Sequence, residues 1–111
     1  MYTIYIYYID FCIYSENALK ILKNIKHKKI LVPPEKKHLY KNKYIDTFPQ
    51  IYLKKNTSMG SLLIGGYTDL NFIVNEIKKN KDINKLKKKF DNKYNNKWSR
   101  KAILRLIELF I

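Results

Sequence analysis

An α/β fold is predicted for this chain, and three observations predict it. Strand and helix patterns alternate in the order β-α-β-(α)-β-β-α across residues 1–79. The first strand pattern, residues 2–9, is almost continuously apolar, which suits a central strand covered on both faces. Two short apolar runs, 50–53 and 62–64, follow each other closely enough to form an antiparallel hairpin. A basic helical tail, residues 80–111, completes the chain.

The elements follow in order. After residues 2–9, Ala18, Leu19, Leu22 and Ile25 recur at helical spacing, with Lys20, Lys23 and Lys26 on the other side. Glu16 suits the positive start of that helix dipole; Lys26, His27 and Lys28 suit its last turn. Residues 30–32 are a short β-branched run, stopped by Pro33 and Pro34. Residues 35–44 are polar and lysine-rich, a short helix or irregular loop with Leu39, Tyr40 and Tyr44 as inward candidates. Residues 56–60 supply the hairpin turn, and Gly65 and Gly66 end its second strand. Thr68 is a candidate cap for a helix over 69–79, with Leu70, Ile73, Val74 and Ile77 on one face. In the tail, a helix over 82–90 shows Ile83, Leu86 and Phe90 as its stripe. An asparagine-rich break over 91–97 follows, then a helix over 99–110. Ile103, Leu106, Ile107 and Phe110 form the face of that last helix, widened by Leu104 and Leu109.

Composition bounds the function classes. With 111 residues, 46% of them hydrophobic, the chain has material for one modest core. The net charge of +14 comes mostly from lysine. Lys, Asn, Ile, Tyr and Phe, all with A/T-rich codons, are abundant together, so the charge is read mainly as genome bias, and a lysine-rich nucleic-acid-binding protein stands as a third reading behind those given below. A single cysteine excludes an internal disulfide framework and a thiolate-rich zinc site, and fits a reducing, cytoplasmic setting. No secretory signal is visible, and no run approaches the roughly 20 apolar residues that span a bilayer. His27 and His38 have no partners at ligand spacing and read as surface residues.

The single cysteine, Cys12, stands where the first strand pattern gives way to the first helix. The free N–H groups of a helix start, with the dipole, favour negative charge. The thiolate is the nucleophilic form of cysteine. A reactive thiol is therefore one reading of Cys12; a small buried hydrophobe is the other.

Three blocks now stand in register: Cys12-Ile13-Tyr14-Ser15, Thr47-Phe48-Pro49-Gln50, and Ile64-Gly65-Gly66-Tyr67-Thr68-Asp69-Leu70. Together they resemble the Cys-Pro-Tyr-Cys, Thr-Val-Pro-Gln and Ile-Gly-Gly-Cys-Asp-Asp-Leu motifs of glutaredoxins. The resemblance covers residues 1–79 and is silent on 80–111. It implies the thioredoxin-like fold, a mixed four-stranded sheet flanked by helices, with C-terminal helices added here. The tail is expected to pack on that domain or to serve assembly. The resemblance also implies a glutathione-dependent thiol–disulfide oxidoreductase, with a cis peptide before Pro49. Cys12 is then the nucleophile, with Tyr14 and Ser15 beside it. Phe48, Pro49, Gly66, Thr68 and Asp69 line a glutathione groove, the backbone of Phe48 pairing with the peptide-like ligand as an added strand would. Thr68, Asp69 and the helix N–H groups receive the γ-glutamyl end.

Three departures shape the expectation. Ser15 stands at the second cysteine position, which closes the dithiol route and leaves a monothiol one. Ile13 replaces the motif proline, and the block is not the Cys-Gly-Phe-Ser of cluster-binding monothiol relatives, so a bridging iron–sulfur cluster is not favoured. Ile9 stands where the family often has lysine; Lys36 or Lys37 is the nearest substitute. Expected partners are glutathione and glutathionylated or disulfide-bearing proteins, with a homodimer as one arrangement. The alternative is a non-enzymatic protein of the same fold that binds or assembles, disulfide-linked or cluster-bridged through Cys12.

Overall fold

The computed structural model describes residues 2–55, 61–95 and 97–110. The chain divides into two compact units, residues 1–71 and 72–111.

In the first unit the tyrosine–isoleucine run forms β1 (Tyr2–Tyr8). It is followed by α1 (Ile13–Leu22), β2 (His27–Leu31), a 3₁₀ turn (Pro34–Lys36), α2 (Lys37–Tyr40), β3 (Gln50–Lys55), β4 (Ser61–Gly65) and the start of α3 (Tyr67–Lys79). The four strands make one mixed sheet in the order β2-β1-β3-β4. β2 lies parallel to β1, from Ile4 opposite His27 to Tyr8 opposite Leu31. β3 lies antiparallel to β1, with Ile4 opposite Leu53 and Ile6 opposite Ile51. β4 closes the hairpin antiparallel to β3, with an irregularity between Ile51 and Tyr52. The proposed turn over 56–60 lies outside the described residues.

Strand alternation sorts the side chains by face. Ile4, Ile6, Ile51 and Leu53 share one face and are buried; Ala18, Leu22, Ile64 and Leu70 are buried as well. Each buried isoleucine or leucine side chain, taken from water, contributes roughly 1.5–3 kcal/mol. β1 is central, as its apolar run predicts, but its two faces differ. Tyr5 and Tyr7 on the second face are only half-buried, because tyrosine rings cover strand surface while keeping their hydroxyls near water.

Several element limits differ from the sequence reading. α1 ends at Leu22, and Lys26, His27 and Lys28 do not form its last turn. The parallel ladder with β1 claims residues 27–31, starting three residues before the expected 30–32 run, and the ladder is extended by the Val32 N–H to the Tyr8 carbonyl, 2.8 Å. Lysine every third residue carried the helical pattern past the point where backbone pairing ends it. Around α2, Tyr40 points inward and its ring packs 5.4 Å from that of Tyr7. Leu39 and Tyr44 are exposed instead; a helix of four residues has too little face to bury three side chains.

The second unit holds most of α3, α4 (Ile83–Tyr94) and α5 (Arg100–Phe110). Asp82 caps α4, its carboxylate accepting the Asn84 N–H at 2.9 Å. α4 continues through residues 91–94, where a break was expected, and ends at Asn95 in the left-handed conformation. The Lys87–Asp91 pair at 2.6 Å supports that last turn, and asparagine tolerates the left-handed cap. Ser99 opens α5, its hydroxyl accepting the Ala102 N–H at 3.1 Å. Ile103, Leu106, Ile107 and Phe110 are buried as the stripe predicts, whereas Leu104 is exposed. Phe90 and Trp98 are fully buried, and the rings of Phe72, Phe90, Tyr94 and Trp98 lie 5.9–6.2 Å apart in a chain of tilted and edge contacts. Among the described residues no helix is long and apolar enough to cross a membrane.

Candidate active site

Register brings the three sequence blocks to one end of the sheet. Cys12 follows the C-terminal end of β1. Tyr7 of β1 lies opposite Gln50, the first residue of β3, so Pro49 enters beside the end of β1. Ile51 lies opposite Gly65, so the end of β4 arrives at the same place. Two contacts tie these ends together. The Tyr14 ring lies 6.3 Å from the Tyr67 ring. A Cβ built on Gly66 would sit 3.6 Å from the Pro49 carbonyl oxygen.

Cys12 occupies the N-cap position of α1 in extended backbone conformation, φ −125° and ψ 116°. Its carbonyl accepts the Glu16 N–H at 3.0 Å, while its side chain makes no capping hydrogen bond. The thiol is free of disulfide, and the residue is partly exposed. Phe11, the residue before it, is held at φ 58° with its side chain fully exposed. Ile13 and Tyr14 are also exposed, so three exposed large apolar residues flank Cys12 in the sequence. Ser15 is buried, and its hydroxyl accepts the Ile9 N–H at 3.3 Å. That bond straps the loop between β1 and α1.

The Phe48–Pro49 peptide is cis, as the resemblance implied. Phe48, Pro49 and Gln50 are buried, and the Gln50 amide donates to the Tyr40 carbonyl at 3.0 Å. Gly65 has φ +129°, where only glycine is at ease. α3 begins at Tyr67, so Thr68 is inside its first turn and is not the cap. Gly66 takes that position: its carbonyl accepts the Leu70 N–H at 3.1 Å, and its N–H donates to the Asp69 carboxylate at 3.2 Å. This is the acidic half of a capping box, in which the third residue of the helix satisfies the N–H of the cap. Thr68 is exposed and Asp69 half-buried.

Sequence reasoning did not single out Tyr67, nor the backbone conformation of Phe11. Nothing in a sequence marks a phenylalanine for the left-handed region. Tyr67 stands where the family motif has cysteine and was noted only as part of a block. His38 is exposed, and His27 donates from Nδ1 to the Ile25 carbonyl at 2.6 Å. Among the described residues no three His, Cys, Asp or Glu side chains are grouped to hold a metal ion. No family model matches the chain, and no curated protein matches it.

Proposed function

We propose that this chain is a glutaredoxin-like thiol–disulfide oxidoreductase of the thioredoxin-like fold, working by a monothiol route with glutathione. The observation that carries the reading is the convergence of β1, β3 and β4 at one sheet end, which puts the three motif blocks in one neighbourhood. A partly exposed cysteine at a helix start adds the chemistry.

In the first step the Cys12 thiolate attacks the glutathione sulfur of a mixed disulfide. A Cys12–glutathione disulfide forms, the original S–S bond breaks, and the substrate leaves as a thiolate. In the second step a glutathione thiolate attacks the glutathione sulfur of that adduct. Oxidised glutathione leaves and the Cys12 thiolate returns. Ser15 holds the loop and takes no electrons. Phe48 and Pro49 present the edge against which a peptide-like ligand lies. Thr68, Asp69 and the first N–H groups of α3 receive the γ-glutamyl end, with Asp69 steadied by the Gly66 N–H. This chemistry runs in a reducing compartment.

Incubation with oxidised glutathione should add one glutathione to the protein by intact mass, and Cys12→Ser should abolish the addition. Steady turnover of a glutathione mixed-disulfide substrate completes the test. Failure of the wild type to form the adduct would overturn the reading.

A second reading rests on the exposed apolar residues that flank Cys12 in the sequence, Phe11, Ile13 and Tyr14. Such a patch suits a binding surface, with Cys12 forming an intermolecular disulfide and no turnover. Adduct formation without turnover, with Cys12-linked dimers on non-reducing gels, favours it.

A further inference from the structure

The second face of the sheet carries an arrangement that the thiol chemistry does not use. Tyr5 and Tyr7 alternate on β1, and Tyr52 of β3 lies directly opposite Tyr5. Lys28 of β2 lies opposite Tyr5 on the other side. The Tyr7 and Tyr52 rings meet edge-on at 5.8 Å, and Tyr40 closes the row 5.4 Å from Tyr7. Lys54 Nζ stands 4.4 Å from the centre of the Tyr5 ring and 5.4 Å from that of Tyr7, and donates to the Tyr7 hydroxyl at 2.9 Å. Lys28 Nζ stands 5.6 Å from the Tyr5 ring. Tyr5, Tyr7, Tyr52 and Lys54 are half-buried, and Lys28 is exposed.

From this placement we propose that the tyrosine face of the sheet binds single-stranded nucleic acid. Net charge alone is a poor argument for such a partner. Aromatic rings on the two central strands, interleaved with ammonium groups, are a better one. Every base has a π-face, so successive unpaired bases stack on aromatic side chains with little regard to sequence. Lys28 and Lys54 supply the opposite charge for the phosphates between them. Lys54 lies over the Tyr5 ring, the place an incoming base takes, and its flexible stem lets the ammonium swing to a neighbouring phosphate. A duplex has its bases already stacked and offers this face only its backbone charge.

The test is fluorescence anisotropy of a labelled ten-nucleotide oligouridine, with a duplex of equal length as comparison, from low to high salt. Single strand should be bound more tightly, and its binding should persist at salt concentrations that release the duplex. The pair Tyr5→Leu and Tyr52→Leu should weaken single-strand binding about tenfold or more. The pair Tyr5→Phe and Tyr52→Phe should keep it, since phenylalanine stacks as well. Cys12 glutathionylation and circular dichroism of each variant report the fold and the thiol chemistry separately. Equal affinity and equal salt dependence for single strand and duplex would overturn the proposal. So would a folded leucine variant that binds as the wild type does.

Discussion

Ser15 accepts the Ile9 backbone N–H at 3.3 Å across the loop that carries Cys12. The residue at the second motif position therefore acts on the backbone, from a buried site. Ser15→Ala leaves that part-buried N–H without its partner and is expected to cost about 1–3 kcal/mol, read by chemical denaturation. Alkylation of Cys12 should proceed at a similar rate in the folded variant, because no electrons pass through the hydroxyl.

Gly65 and Gly66 are expected to respond differently to the same change. A Cβ at Gly65 would overlap the Asp69 carboxylate, in a backbone region that side chains avoid. Gly65→Ala should destabilise the fold by roughly 1–3 kcal/mol or more. Gly66→Ala meets only ordinary contact with the Pro49 carbonyl and should cost about 1 kcal/mol or less. Denaturation midpoints of the two variants, measured side by side, decide the matter.

Asp69→Asn keeps an oxygen for the Gly66 N–H but removes the charge offered to a ligand ammonium. Stability should change little. On the proposed function, KM for glutathione should rise several-fold, as expected when a charge-assisted hydrogen bond becomes a neutral one.

Glu76 is buried beside Lys89, 2.7 Å away, with Lys79 at 3.8 Å. The Lys89 hydrogen bond holds its carboxyl below the ordinary 4.5, against the opposing effect of burial. A lowered folded value means that the unfolded chain takes up the proton first. The stabilisation is therefore complete above about pH 4.5 and is lost as pH falls through the folded value. Glu76→Gln should flatten this acid limb of the stability curve, measured by denaturation at stepped pH.

Trp98 is the chain's one tryptophan and is fully buried against Phe90 and Tyr94. Its emission should be blue-shifted in the native protein and should move red as residues 72–111 unfold. Trp98→Ala should cost about 3–5 kcal/mol through the cavity it leaves. The indole N–H finds no acceptor among the described residues, so Trp98→Phe forfeits volume but no hydrogen bond and should be much milder.

These residues also show what a sequence discloses. The hairpin, the core face of α3 and the stripe of α5 were legible because burial repeats at the period of the backbone. The β1–α1 junction with Cys12 at its hinge was legible for the same reason. The start of β2 was hidden because Lys26, His27 and Lys28 satisfy a helical pattern, while the parallel ladder that claims His27–Leu31 is a long-range pairing. Threonine favours the cap position, so the sequence points to Thr68. The actual cap, Gly66, depends on Asp69 reaching back, which composition does not disclose. Trp98 carries no such signal, because an isolated aromatic in an asparagine-rich stretch has no period.

β2 stands at one border of the sheet, and Lys28 and Lys29 project from it into solvent. A strand of another molecule approaching that border would have to dock against ammonium groups. The tyrosine–isoleucine strand, the segment most prone to stack with its own kind, is shielded one position inward. Replacing those two lysines with valine would remove the guard and invite fibrous self-association.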